Sequence, residues 1–580
     1  MSSHEPPLTP IHTALPRDSV QVRMDTGLIL QGPVGTPLEA FVAEIWQPDE
    51  PPVVAALVDG ELRELTFAVR KDIDVRLLSN ATSDGKRIYQ RSLTLLMLVA
   101  VHELFPEARI RIEHAVTMTG LLCETRGREP FTEQEIAQIE ARMQEIVDQD
   151  EPIVKTQVPL EEAKQIFTES GYYRRVRLLK YRQRDYLVLY ALRGVRNYFY
   201  GYMVPSTRYL PFFDLVPHPL GFILRAPRRG APVELPAKRE SPKLDRVFQQ
   251  YAEWLYKLNL PDVAALNEAI ESGRIGEVIL VSEALHEQQV VDIAGRIAER
   301  SDARGGDLRL VLIAGPSSSG KTTFSKRLAI QLLARGLRPV PLELDNYFVD
   351  RDQTPRDEQG ELDFEHLHAL DLELLNENLN DLMAGKQVQL PEYDFRTGTR
   401  HAGPTLRIGP QHIIIAEGIH GMNPDLVPGI APERTYRVYI SALTQLNIDS
   451  HNRISTTDTR LLRRILRDAQ YRGYSAAGTI DRWESVTRGE VRWIFPYQEN
   501  ADAMFNSALA YELAVIKPLV DPYLRMVEPH TLPHIETKRL LSFLQWILPC
   551  EPDLVPGNSL LREFIGGSIL RDFSISLGNV

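Results

Sequence analysis

Leu308-Arg309-Leu310-Val311-Leu312-Ile313-Ala314, running into Gly315-Pro316-Ser317-Ser318-Ser319-Gly320-Lys321-Thr322, decides the fold. The first segment is apolar except for Arg309, the pattern of a strand buried on both faces of a parallel sheet. The second fits G-x-x-x-x-G-K-[ST]. Lys321 to Arg335 then places Phe324, Leu328 and Leu332 on one helical face and stops at Gly336. Strand, glycine-rich loop and helix in this order predict an α/β domain that wraps phosphates in backbone N–H groups. Lys321 would reach the terminal phosphates and Thr322 would hold magnesium.

Two further strands are expected beside the first. Val340 to Leu344 ends in Asp345-Asn346-Tyr347-Phe348, and His412 to Ala416 ends in Glu417-Gly418. Ligands bind at the carboxyl ends of strands in such sheets. Asp345 is therefore a candidate to take a proton from a substrate hydroxyl, and Glu417 a candidate for magnesium. Thr459 to Asp468 reads as a helix with Arg460, Arg464 and Arg467 on one face, followed by Arg472, a set able to close over phosphates.

Taken with Asp363-Phe364-Glu365-His366 and Val388 to Phe395, these motifs resemble the uridine kinase and phosphoribulokinase family in order and spacing, over about Leu308 to Leu524. The resemblance implies a P-loop kinase using ATP and Mg2+. Asp345 and Lys321 would be catalytic, and Gly315, Pro316, Ser317, Ser318, Ser319, Gly320, Lys321, Thr322, Thr323, Arg467 and Arg472 would bind ATP. Thr322 and Glu417 would hold the metal. Asp345, Tyr347, Phe364, Glu365, Tyr393, Arg400 and Arg464 would meet a small-molecule substrate, a nucleoside or another polyol. The uridine-cytidine kinases carry an aspartate at Glu365 and a base-reading histidine at Gly398, so the acceptor is open between these classes; His401 is a candidate replacement.

In the N-terminal half, Val53 to Val58 and Glu61 to Leu65 read as strands joined by Asp59-Gly60. Ser92 to Phe105 and Thr132 to Val147 read as helices, the second opened by the capping pattern Thr132-Glu133-Gln134-Glu135. Tyr172 to Leu224 is rich in aromatic and β-branched residues and suggests a sheet. This half resembles the TGS and second additional domains of threonyl-tRNA synthetases, covering about Val20 to Leu224. The positions of that family's metal-binding and proton-shuttling pairs hold Leu95, Val99, Phe199 and Met203, so a binding or regulatory module is expected and no editing.

The expected order is a disordered lead (1–17), a β-grasp-like TGS module (18–80), an α+β synthetase-like domain (81–226), a proline-rich exposed linker with a helical connector (227–301), the P-loop kinase domain with its parallel sheet (302–530) and a C-terminal helical extension (531–580). With 43% apolar residues and 25% charged, most of the chain should fold. Cys123 and Cys550 lie far apart, which argues against a disulfide framework or zinc site. No apolar run is long enough to span a membrane and the start lacks the layout of a signal peptide, so a cytoplasmic location is expected. The net charge of -12 confines any polyanion contact to local clusters. Arg174-Arg175-Val176-Arg177 and Arg193 to Arg196 form such clusters, and with the synthetase likeness they open a different reading, an RNA-associated regulator. Nothing in the sequence sets an oligomeric state.

Overall fold

The computed structural model describes residues 17–47, 50–116, 120–237, 241–303, 308–409 and 411–573. The expected disordered lead, apart from Arg17, lies outside them. Strands β1 (Ser19–Met24) and β2 (Ile29–Pro33), helix α1 (Leu38–Ala43) and strands β3 (Val53–Val58), β4 (Glu61–Arg63) and β5 (Ile73–Ser79) form the first unit. Its sheet runs β2-β1-β5-β3-β4, with β1 and β5 parallel and the other pairs antiparallel. Asp59 and Gly60 both take positive φ between the paired Val58 and Glu61, as the twist of a two-residue hairpin requires.

Helix α2 (Ser83–Leu104) begins nine residues before the apolar periodicity, because Thr82 caps it by accepting the Gly85 N–H. Strands β6 (Arg109–Val116) and β7 (Gly120–Arg126) come next, then α3 (Glu133–Asp148), which carries the predicted reciprocal cap between Thr132 and Glu135. After it run β8 (Val154–Pro159), α4 (Leu160–Glu169), α5 (Tyr173–Leu178), β9 (Tyr186–Leu192), β10 (Val195–Asn197), β11 (Asp214–His218) and β12 (Gly221–Arg225). The sheet suggested for Tyr172 to Leu224 is found only from Tyr186 onward. The first residues of that stretch form a helix whose Arg175 is buried, and the strands divide between sheets β10-β9-β8 and β11-β12-β7-β6. Leu95, Val99, Phe199 and Met203 all lie in one apolar cluster. The proline-rich stretch after β12 is also corrected. It is only partly exposed: Gly230, Val233, Glu234 and Ala237 face solvent, but Ala226, Pro227 and Pro236 are buried, Arg225 of β12 is bonded to the Pro236 carbonyl and Asn80 to that of Pro232.

Helices α6 (Pro242–Lys257), α7 (Val263–Glu271) and α8 (Ile275–Ala303) lead into β13 (Leu310–Ala314), α9 (Lys321–Leu333), β14 (Arg338–Glu343), α10 (Leu372–Met383), β15 (Val388–Asp394), β16 (Thr399–Leu406), β17 (His412–Gly418) and β18 (Thr435–Ser441). Helices α11 (Thr456–Arg467) and α12 (Ala476–Trp493), strand β19 (Ala503–Asn506) and helices α13 (Glu512–Arg525), α14 (Leu532–Leu544) and α15 (Arg562–Ile565) complete the chain. The sheet β14-β17-β13-β18-β19 is parallel throughout, with fully buried β13 at its centre as its apolar run predicts. Its register pairs Ala314 with Gly418 and Tyr439, and Glu343 with Glu417, so the three strand ends that carry the motifs are level.

The halves share one apolar core, in which Val158, Leu187 and Tyr198 join residues of α6 to α9 and Phe564. They also share a buried ion pair. Arg175 grips both oxygens of Asp449 at 3.0 Å, each partner only 2% exposed, in the largely buried loop between β18 and α11. Asn447 of that loop donates to the Ile112 carbonyl at 2.9 Å. Among the described residues no helix is long and apolar enough to cross a membrane.

Candidate active site

Chain direction brings the motifs together. Every strand of the five-stranded parallel sheet points the same way, so the segments that leave β13, β14 and β17 lie along one edge. Gly315 turns the chain there against β18: a Cβ would lie 1.9 Å from the Ile440 carbonyl oxygen, so no other residue fits. The loop then enters α9. The hydroxyls of Ser318 and Ser319 are buried in it without a protein partner, the condition of groups built to meet phosphate oxygens. Thr322 Oγ1 lies 3.2 Å from Glu417 Oε2. Among the described residues no three His, Cys, Asp or Glu side chains cluster to cage a metal by themselves. A hydroxyl beside one carboxylate instead suits magnesium that takes its remaining ligands from phosphates and water.

Ser317 is held at three points. Glu490 of α12 accepts its N–H at 2.9 Å, Arg460 of α11 donates to its carbonyl at 3.1 Å, and Arg464 donates to its hydroxyl at 2.8 Å. Arg460 and Glu490 pair through three N–H···O contacts of 3.0, 2.6 and 2.5 Å, both side chains 1% exposed. Arg460, expected in a phosphate-closing set, is thus a fixed support of the loop. Its burial follows from the helix: Leu461, Leu462, Ile465 and Leu466 must also face inward, and the face they share with Arg460 is the one turned to the protein. Arg464, Arg467 and Arg472 do converge, on Asp468 at 3.2, 3.1 and 3.7 Å. Asp468 opens a wide π-type turn after α11.

Asp345 stands at the first turn after β14, exposed to solvent on one side while the protein packed around it strips away part of its hydration. This desolvation raises its pKa, and Lys321, Arg472 and Arg467 pull it back. Desolvation also pushes Glu365 up to about 7 against the pull of Arg464, with Glu490, Asp363 and Asp345 adding to the rise. Glu417 is pushed up to about 7 by desolvation, opposed by Lys321 and reinforced by Asp345, Glu563 and Glu343. Asp345 and Lys321 thus act on one another, and Asp345 acts on Glu365 and Glu417.

Beside Glu365, Phe364 joins a ring cluster with Phe348, Tyr393 and Phe395, at centroid separations between 5.0 and 6.3 Å. The buried Tyr393 hydroxyl has no protein partner. Tyr347, expected at the substrate, is corrected: the single 3-10 turn after β14 rotates it into the core, 1% exposed, with its hydroxyl accepting from Asn378 at 3.2 Å. Arg400 pairs with Asp371 at 2.9 Å. Gly398 has φ +76°, and a Cβ there would lie 2.6 Å from Arg351 Nε, so the guanidinium fills the space of a side chain. His401 is exposed and bonds Thr399 at 3.0 Å.

The phosphoribulokinase/uridine kinase family model matches residues 310–513. A uridine kinase of Macrococcus caseolyticus is 30% identical over 207 residues, 36% of this chain and 91% of that protein. The chain belongs to the phosphoribulokinase/uridine kinase family. A Staphylococcus aureus uridine kinase is 31% identical over the same proportions. A solved structure described as a possible uridine kinase from Bacillus stearothermophilus aligns at 28% identity with a TM-score of 0.20, over 23% of this chain and 70% of that one. As a kinase of this family the chain has a small-molecule acceptor and ATP as its expected reactants.

Several residues of this kinase site escaped the sequence reading. Glu490 lies among charged residues with no local motif to mark it, and only its packing against α11 reveals what it holds; Asp468 ends the arginine-bearing segment, but its pairing with Arg464 at i, i+4 spacing was not read from it. Gly489 is a helix-interior glycine, which costs about 1 kcal/mol against alanine and so signals a close approach. A Cβ there would lie 2.4 Å from Glu365 Cβ. Four of the five arginines of the two basic clusters are engaged, Arg175 with Asp449, Arg177 with Glu268, Arg193 with Glu103 and Glu151, and Arg196 with Glu162, while Arg174 comes no closer than 4.0 Å to Asp262.

Proposed function

We propose that the chain transfers the γ-phosphoryl group of ATP to a hydroxyl of a nucleoside, its 5′-hydroxyl in the manner of uridine kinases. The observation that carries this reading is the ring cluster of Phe348, Phe364, Tyr393 and Phe395, whose Phe364 is next in sequence to Glu365, a carboxyl within the electrostatic reach of Asp345. Aromatic faces favour a planar base, and a carboxylate accepts both hydroxyls of a ribose diol. Asp345, made more basic by desolvation, takes the proton of the attacking hydroxyl. The new O–P bond forms as the γ-phosphorus to ADP oxygen bond breaks. Lys321, Arg464, Arg467 and Arg472 oppose the charge on the phosphoryl oxygens, and Ser318 and Ser319 offer their free hydroxyls. Thr322 and Glu417 would hold magnesium, which neutralises phosphate charge when bound.

Gly398 supports a second acceptor class. With a glycine there and Arg351 in the space, no side chain at that position reads a base edge, which suits a polyol lacking one. For the N-terminal half we propose a binding or regulatory module of the TGS and synthetase-like kind. Its docking on the loop that feeds α11 through Arg175 and Asp449 supports this. Turnover of a panel of nucleosides, sugars and other polyols with Mg-ATP tests the acceptor, a nucleoside being expected to give the highest kcat/KM. Lys321→Ala is expected to lower it at least about 100-fold with that acceptor; turnover at the parental rate would refute the mechanism.

A further inference from the structure

After α14 the chain returns to the phosphate loop. Leu560, Leu561 and Phe564 have no exposed surface, and Leu560 lies over the end of the loop, where a Cβ on Gly320 would come within 2.3 Å of its Cδ2. Glu563 of α15 turns its carboxylate to the first turn of α9 and accepts the Thr323 backbone N–H at 3.1 Å. Further on, Lys326 Nζ donates to the carbonyls of Leu570 and Arg571 at 2.7 and 2.9 Å. The segment also meets the arginine-bearing part of the site: Phe564 lies 5.0 Å from the Arg463 guanidinium, and Arg571 lies 5.4 Å from the Tyr471 ring.

The Thr323 N–H is one of the donors left free at the start of a helix, and in loops of this kind those donors cradle nucleotide phosphates. One N–H cannot fully serve two anions. We propose that Glu563 is a residue of the nucleotide site: its carboxylate holds the Thr323 anion seat in the nucleotide-free protein and yields it to a phosphate, so that the C-terminal segment sets nucleotide affinity. This rests on the kinase reading above. The yielding step is a side-chain rotation, because Glu563 is only partly buried while Leu560, Leu561, Phe564 and the Lys326 clasp keep the backbone anchored.

The test uses the full chain with Glu563→Gln and Glu563→Ala, measuring ATP and inorganic triphosphate binding by calorimetry, the KM of ATP and of the acceptor, and Tm. Glutamine keeps the length and a neutral acceptor for the N–H, which guards against loss of folding in the alanine variant. Replacing a charged competitor by a neutral or absent one should tighten ATP binding about 3- to 10-fold. Triphosphate should gain by the same factor, since it competes for the same seat, with acceptor KM held within about twofold. Weaker or unchanged ATP binding in a folded Glu563→Gln protein, with the parental chain binding ATP, would overturn the inference alone. A parental chain that binds no ATP would remove the kinase reading and this inference with it.

Discussion

Gly489→Ala separates the two substrates of the site. A Cβ at this position would lie 2.4 Å from Glu365 Cβ and 2.7 Å from its Cγ. Both atoms sit near the Glu365 backbone, so rotation of the carboxylate end cannot relieve the clash. Tight carbon contacts begin near about 3.4 Å, so the Glu365 segment must retreat by about 1 Å. Two energies then oppose: alanine favours the helix by about 1 kcal/mol, and overpacking costs about 1–3 kcal/mol. The fold should therefore lose at most about 2 kcal/mol, a few degrees in Tm. Function should suffer more, because a displacement of about 1 Å in a positioning group costs about 100-fold in rate. Steady-state kinetics with each substrate varied in turn should show kcat/KM for the acceptor falling by about that factor, and the KM of ATP within about twofold, since Ser317 and Glu490 stay paired. An acceptor kcat/KM within about threefold of the parent would refute the placement of Glu365 at the acceptor.

The pH dependence of acceptor binding should track Glu365, whose carboxyl is pushed up to about 7. A diol needs the ionised form, so acceptor KM should rise as pH falls below about 7, and Glu365→Gln should flatten that profile. The sign for stability is opposite: the folded pKa lies above the unfolded one, so the folded protein holds more protons between them and this group's contribution declines as pH rises from about 4.5 towards 7. Arg460→Met should strand the buried Glu490 carboxylate, costing about 3–5 kcal/mol in urea unfolding and loosening Ser317. Loss of less than about 1 kcal/mol with unchanged ATP binding would show that the pair does not support the loop.

Local chemistry made much of the kinase half readable. The apolar run ending at Ala314 admits one buried central strand, and Gly315 to Thr322 is legible because each position answers a steric or charge requirement within a few residues. Asp345 and Glu417 were visible because strand ends in a parallel sheet are level. Tyr347 misled for the same local reason: adjacency to Asp345 says nothing of which way one short helical turn points a ring. Arg460, Arg464 and Arg467 share a face in a helical projection, yet Arg460 is buried against Glu490 while Arg464 and Arg467 reach Asp468.

The strand, glycine-rich loop and helix of residues 308–335, the carboxylates at neighbouring strand ends and the N-terminal hairpin can be read from the chain, because interactions spanning a few residues set them. The long-range contacts cannot: Glu490 supports Ser317, Gly489 makes room for Glu365, Arg175 ties the two halves together at Asp449, and Glu563 reaches Thr323 across 240 positions. Those pairings depend on where helices come to rest on the sheet, which is settled by burial of the whole apolar core and leaves no spacing in the chain to read.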